Sequence, residues 1–133
     1  MAQPRYRNGK RVIDRWNVVF EALSAEPRRQ LVVSLLDATP SASVPLPESA
    51  VNPNVPPDPE ELRRELRHRH LPKLADLEFV AWEQDPLVAS RGPRFDEAAV
   101  VFEALQTNAT ELPDSLVVGC QRLERERQDG FDD

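Results

Sequence analysis

The sequence predicts a mainly α-helical domain with one small β-hairpin. Apolar residues recur at intervals of three and four in several segments, which is the period of an amphipathic helix. Two short runs rich in β-branched and aromatic residues, "FVAWE" and "LVASR", flank the turn sequence "QDP". The length of 133 residues suits a single hydrophobic core.

The first two helices are predicted at residues 11–23 and 26–38. One face of the first is apolar, through Val12, Ile13, Trp16, Val19, Phe20 and Leu23. Ser24 as N-cap and Pro27 in the first turn mark the start of the second helix. We expect Arg28 and Arg29, in that first turn, to lie mostly in water. Residues 1–10 form a basic N-terminal arm.

A proline-rich segment follows at residues 40–59. Its seven prolines exclude a long helix and any central strand. At most one short helical turn fits, with Pro47 at its first position. Apolar residues scattered through the segment indicate that it packs on the core; they are Val44, Leu46, Val51 and Val55.

A long helix is predicted at about 60–77, with Asp58 as its N-cap and a proline at its first position. Its apolar stripe runs through Leu62, Leu66, His70, Leu74 and Leu77. Pro72 lies inside the helix and predicts a kink. His68 and His70 project about 200° apart and do not share a metal ion. We therefore predict that His70 is a packed, hydrogen-bonded core residue and that the chain binds no metal.

The hairpin pairs Phe79–Glu83 with Leu87–Arg91, and helical periodicity resumes over "RFDEAAVVFEALQ". A C-terminal helix to about Gln128 and a charged tail occupy residues 113–133. The order helix, helix, irregular segment, long helix, β-wing and helix is that of a winged helix-turn-helix domain, which we place at 11–112.

Two segments resemble a known family. "FEALSAEPRRQLVVSLL" resembles the opening of ArsR-type regulators, in which a helix ends before a short segment with paired arginines. "LRHRHLPKLADLEFV" resembles the end of their recognition helix and the first wing strand, and is similar to small haloarchaeal winged-helix proteins with a "HLPKLAD" segment. The resemblance implies a DNA-binding transcriptional regulator. We expect it to be cytoplasmic, because "MAQPRYRNGKR" lacks the apolar region of a signal peptide. Two features depart from the family: the prolines before the long helix, and Leu77-Glu78 where glycine is usual.

The charge distribution offers an anionic partner two places to bind. The net charge is -6, yet residues 1–15 sum to +4 and residues 60–73 to +2, which leaves -12 for the remainder. Only two of the 17 basic residues are lysines, and such an acidic, arginine-rich composition is typical of proteins adapted to high salt.

We expect the DNA contacts to come from the long helix, the wing and the arm. Helix and wing contribute Arg63, Arg64, Arg67, His68, Lys73 and Arg91. The arm contributes phosphate contacts from Arg5, Arg7, Lys10 and Arg11. The alternative is a solvated helix face, because Glu61 and Glu65 share that side of the helix.

The sequence also predicts which partners and which chemistry to expect. Exposed apolar faces on the terminal helices predict a homodimer, through Trp16, Phe20, Phe95 and Phe102. The sequence has no phosphate-cradling glycine loop, no nucleophile-base set and no apolar run long enough to span a membrane. We therefore expect no enzymatic activity, cofactor, small-molecule substrate or membrane association. The alternative function is a winged-helix protein-interaction module that has lost DNA reading.

Overall fold

The computed structural model describes residues 4–117 and 121–132. The described residues are mainly helical, and three short strands among them form one antiparallel sheet. The helices are α1 (Pro4–Ala22), α2 (Glu26–Asp37), α3 (Pro59–Glu65), α4 (Leu71–Asp76), α5 (Phe95–Thr107), α6 (Asp114–Val117) and α7 (Gln121–Asp132). The strands are β1 (Ser43–Pro45), β2 (Val80–Gln84) and β3 (Leu87–Arg91). The prediction of a mainly α-helical chain with a small sheet after a long helix is confirmed.

Helix α1 begins earlier than its apolar stripe predicted. It starts at Pro4, so residues 4–10 of the basic arm are its first turns. Proline at a first helical position costs no hydrogen bond, because the first N–H groups of a helix have no partner within it. Helix α2 matches its predicted range, although its N-cap is Ala25 and not Ser24. It buries Leu31, Val32 and Leu35 in the core cluster that also contains Val19 and Ala22 of α1.

The proline-rich segment packs on the core and contributes a strand that the sequence did not predict. Val44 in β1 pairs with Ala89 of β3, and Leu46 and Ala50 are buried. The proline argument excluded a central strand, whereas β1 lies at the edge of the sheet and ends at Pro45, where a missing N–H is tolerated. The predicted single turn is a 3-10 helix at Glu48–Ala50. Val55 was expected to pack inward, but it is 71% exposed.

The long helix contains a π-helical segment in its middle. It comprises α3, the π segment Leu66–His70 and α4, and we use the name long helix for this continuous unit. Asp58 caps it by accepting a 3.0 Å hydrogen bond from the Glu60 N–H. The Leu71 N–H donates to the Leu66 carbonyl, the i to i−5 bond of a π turn. Pro72 has no N–H to donate and would clash with the carbonyl four residues earlier, so the wider turn accommodates it without ending the helix.

Glu78 ends the long helix in a left-handed conformation. Its φ is 65°, the only positive φ of a non-glycine residue in the described chain. The Phe79 N–H donates to the Leu74 carbonyl at 2.9 Å and the Glu78 N–H to the Ala75 carbonyl at 3.0 Å, which is a Schellman motif. Glu78 thus adopts the conformation that glycine usually supplies at this position.

Strands β2 and β3 form the predicted hairpin. Gln84 pairs with Leu87 across the Asp85–Pro86 turn, and β1 adds to β3 to give the order β1-β3-β2. Gly92 follows β3 against the start of β2: a Cβ there would lie 2.6 Å from the Glu78 carbonyl oxygen. A glycine is therefore required where the sheet leaves toward α5.

The C-terminal part begins with α5, which buries Phe95, Ala98, Ala99 and Phe102 in the core. The predicted C-terminal helix corresponds to α6 and α7, and residues 118–120, including Cys120, lie outside the described residues. In the part of the chain that the structure describes, no helix is both long and apolar enough to cross a membrane.

Candidate nucleic-acid interface

The exposed side of the long helix carries a cluster of basic side chains. Arg64 and His68 are exposed opposite the core, while half-buried Arg67 and exposed Arg69 project from opposite flanks of the helix, and we call these four residues the basic face. The opposite side buries Leu62, Leu66, His70, Leu71 and Leu74. Within residues 4–117 and 121–132, the ion pairs involve other cations, and none joins a carboxylate to any of the four. Burial of one side of the helix therefore leaves this set of donors facing solvent.

Carboxylates share the same helix and lower its positive charge. Glu60 pairs with Arg63 one turn later, so this predicted contact residue has a partner within the helix. Glu61 and Glu65 are exposed beside Arg64. Glu61 lies in the first turn and stabilises it through the helix dipole, but both carboxylates oppose an anionic ligand there. The basic face is strongest around the π segment rather than at the helix start.

Lys73 and Arg91 are engaged in contacts within the chain. Lys73 forms an ion pair with Glu21 of α1. The Arg91 guanidinium donates to the carbonyls of Leu35 (2.9 Å) and Ala38 (3.2 Å), and its central carbon lies 4.8 Å from the centre of the Phe95 ring. Arg91, expected at the wing as a phosphate contact, closes the carboxyl end of α2 instead.

The basic residues of the predicted arm lie on the first turns of α1. Arg7, Lys10 and Arg11 are exposed, and the side chain of Arg5 is outside the described residues. Arg15, further along α1, pairs with Glu97 of α5. The exposed cations of α1 are therefore at its amino-terminal end.

Arg28 is buried, contrary to the expectation that it lies in water. It is 5% exposed, and its Nε donates to the Ala22 carbonyl at 2.9 Å. Its Nη2 donates to Ser24 Oγ at 2.9 Å and to the Glu21 carbonyl at 3.2 Å. The α1 helix ends there with unpaired carbonyls, and the guanidinium satisfies them with a fixed cation.

Arg28 also contacts His70 of the long helix. Its Nη1 lies 3.1 Å from His70 Nδ1, and His70 is 2% exposed. The prediction of a packed, hydrogen-bonded core histidine is confirmed. Burial, followed by the charges of Arg28 and Arg69, lowers the pKa of His70 to about 4. His70 is therefore neutral at pH 7, and Nδ1 accepts from Arg28, whose guanidinium stays charged.

An apolar surface lies on α1. Val12, Ile13, Trp16 and Phe20 are each about half exposed or more, and the Trp16 and Phe20 rings stack with centroids 5.6 Å apart. Phe20 also lines a cleft of about 740 Å³ with Val33, Leu105 and Leu116. Of the four aromatic residues predicted to meet a partner, Phe95 and Phe102 lie in the chain's own core, whereas Trp16 and Phe20 face solvent.

Among the described residues, no group of three or more His, Cys, Asp or Glu side chains is placed to hold a metal ion. Comparison of the chain with protein family models, curated proteins and solved structures finds no match. The sequence analysis did not include Arg69 among the expected DNA contacts, although it stands beside Arg67 and His68 in "LRHRH", and the structure leaves its side chain exposed.

Proposed function

We propose that this protein is a winged helix-turn-helix transcriptional regulator that binds double-stranded DNA through the long helix. The observation that carries the proposal is the basic face. Its three arginines have no carboxylate partner in the described chain and sit on a helix whose other side is held in the core. A guanidinium in the major groove can donate two hydrogen bonds to guanine O6 and N7.

The hairpin and α1 supply the supporting contacts. The β2–β3 hairpin follows the long helix directly, in the position of a wing. Arg7, Lys10 and Arg11 are exposed at the start of α1 and serve as phosphate contacts, which position a protein without reading sequence. Arg63 and Lys73 reach DNA only by exchanging their present carboxylate partners for phosphate, and Arg91 is left out of the contact set.

The active form is a homodimer that buries the apolar surface of α1. Four large apolar side chains exposed on one helix exceed what a monomer normally leaves in water. A two-fold dimer places two long helices against two half-sites, as in other helix-turn-helix regulators.

A second candidate is a winged-helix module that binds protein instead of DNA. A single 3-10 turn at Glu48–Ala50 stands where a helix-turn-helix has its first helix, which normally crosses the DNA backbone. Exposed Glu61 and Glu65 also favour this alternative.

A fluorescence anisotropy titration with duplex DNA separates the two candidates. The regulator binds a random duplex at low salt and loses affinity as salt rises, because binding releases counterions from the phosphates. Arg64→Ala and Arg67→Ala weaken this binding and change sequence preference without unfolding the chain. No binding at any salt, with a folded dimer, favours the interaction module.

A further inference from the structure

A buried link joins α1 to the long helix through Arg28. Three hydrogen bonds tie its guanidinium to the end of α1, at the carbonyls of Ala22 and Glu21 and at Ser24 Oγ. The remaining contact is with His70 Nδ1, at 3.1 Å. His70 closes the π segment that also contains Arg67, His68 and Arg69 of the basic face.

We propose that the Arg28–His70 link is an acid-sensitive latch, which holds the basic face in place while His70 is neutral and releases it when His70 is protonated. Nδ1 accepts a hydrogen bond only through its free lone pair. Once protonated, it presents a donor and a positive charge to a guanidinium that cannot lose its own proton. The buried contact then becomes repulsive, and separating the long helix from α1 relieves it.

The charged groups around the latch favour its neutral state. Arg28 faces His70 from α2, and Arg69 adds a second positive charge from the long helix. Glu21 of α1 favours the charged form of Arg28, and its carboxylate also pairs with Lys73. Arg29 is a further cation close to Arg28. Burial and the charges of Arg28 and Arg69 together keep the pKa of His70 at about 4.

The sign of the pH dependence follows from this lowered pKa. An unfolded chain takes up the His70 proton below about pH 6.5, whereas the folded chain takes it up only near pH 4. The contribution of neutral His70 to stability is complete above about pH 6.5 and is lost as the pH falls toward 4. Over that window the unfolding equilibrium constant rises by up to about tenfold per pH unit from this residue alone.

The variant His70→Asn tests the latch, because Oδ1 of asparagine can accept from Arg28 and does not titrate. His68→Asn is the matched control, two residues away and exposed. Urea unfolding between about pH 7 and about pH 4.5 should show the wild type losing up to about 100-fold in folding equilibrium relative to His70→Asn. The control His68→Asn should lose as much of its folding equilibrium on acidification as the wild type does. If the unfolding free energies of the wild type and His70→Asn fall in parallel as the pH is lowered, the proposal is overturned.

Two measurements on the wild-type protein do not depend on a variant that folds. Nitrogen NMR of His70 should show an unprotonated Nδ1 down to about pH 5; protonation above about pH 6 in the folded state would refute the latch. Hydrogen exchange, corrected for its intrinsic pH dependence, should increase in residues 20–29 and 66–76 on acidification before it increases in 95–107. Simultaneous loss of protection in all three ranges would also refute it.

The effect of the latch on DNA affinity rests on the proposed function and is measured separately. At fixed salt, wild-type affinity should fall between about pH 7 and about pH 4 by more than that of His70→Asn, because folded His70 takes up its proton near pH 4. Equal losses in the two proteins would exclude the latch as a control of DNA binding. Absence of DNA binding at both pH values would contradict the proposed function alone, because the unfolding and exchange measurements involve no DNA.

Discussion

Several arginines of this protein close the carboxyl ends of helical segments. Arg28 does so for α1, Arg91 for α2, and Arg127 donates to the carbonyls of Ala109 and Leu112. A planar guanidinium with several donors can satisfy more than one orphan carbonyl, which a lysine ammonium does less well. Of these three arginines only Arg91 was an expected DNA contact, and the structure gives it a role within the chain.

Arg91→Gln should destabilise the protein and leave its DNA contacts unchanged. The shorter neutral side chain loses the bonds to the Leu35 and Ala38 carbonyls and the contact with Phe95. We expect a loss of about 2 kcal/mol in the free energy of unfolding, measured by urea denaturation. The control is Arg64→Gln, an exposed change expected to stay within about 0.5 kcal/mol. Equal stability of Arg91→Gln and the wild type would contradict this role.

Glu78→Gly should stabilise the protein. Glycine adopts the observed φ of 65° without the steric cost that a side chain incurs there. The change loses only an exposed ion pair with Arg94. We expect a gain of about 0.5–1 kcal/mol, seen as a melting temperature a few degrees higher. Arg94→Gln removes the same ion pair and keeps Glu78, so it should not reproduce the gain; a lower melting temperature for Glu78→Gly would count against the strain.

The sequence predicted the burial of His70 but not the burial of Arg28, because only the first follows from local periodicity. His70 lay on an apolar stripe, and its burial followed from periodicity. Arg28 lay on the polar side of the second helix, where a helical pattern alone predicts water. Its burial depends on a tertiary neighbour, the end of α1, which local sequence does not reveal.

At the scale of elements, the π segment explains an unusual spacing in the long helix. Leu62, Leu66, His70 and Leu74 are separated by four residues each time, and in a regular α-helix such a stripe drifts by about 120° over that distance. All four are nevertheless buried. The wider π turn absorbs the drift, so repeated four-residue spacing before a proline was the sequence signal for it.

The edge strand β1 could not be predicted from its own residues. Ser43–Pro45 is short and contains a proline, so its own pattern predicts a loop. It is a strand because β3 offers an unpaired edge and Val44 reaches the core beside it. Pairing with a distant strand, rather than local preference, determines this element.

Two glycine substitutions, one at the junction after β3 and a control on α1, test how closely the sheet packs on the long helix. Gly92→Ala places a methyl group within 2.6–2.9 Å of the Glu78–Val80 backbone, which has to shift. We expect a loss of about 2–3 kcal/mol by urea unfolding. Gly9→Ala, in open space on α1, should instead gain about 0.5–1 kcal/mol through helix propensity. If neither alanine variant lowers the free energy of unfolding, the close packing of the sheet against the end of the long helix is contradicted.

The acidic residues of the long helix should limit its affinity for DNA. Glu61 and Glu65 are exposed beside Arg64. Replacing both with glutamine removes repulsion of about 1 kcal/mol per charge near a phosphate in water, so we expect roughly fivefold tighter binding per substitution at low salt. Anisotropy titrations would measure it, with Glu103→Gln on α5 as the control. Weaker binding of the glutamine variants would place the interface on another surface.

At the scale of the whole molecule, the apolar surface of α1 should mediate self-association. Ile13→Asn and Phe20→Asn change exposed residues, so they should fold and shift sedimentation from dimer to monomer. Ala81→Asn, exposed on β2, is the control and should remain dimeric. A wild type that sediments as a monomer at micromolar concentration would contradict the dimer.

The acidic remainder of the molecule has less influence at high salt. The Debye length is only about 3 Å at molar salt, so distant carboxylates repel DNA weakly there. Contacts within the basic face act at short range and are screened less. A net charge of -6 is therefore compatible with DNA binding under such conditions.

The most direct test of the central claim is the salt dependence of duplex DNA binding. The logarithm of the association constant should fall linearly with the logarithm of the salt concentration for the wild type. The double variant Arg64→Gln/Arg67→Gln should lose about 1–3 kcal/mol of binding free energy for each arginine that reads a base and should discriminate less between sequences, while Arg91→Gln keeps the wild-type affinity and slope. Binding of the double variant with an unchanged affinity and slope would contradict the assignment of the long helix as the DNA-binding element.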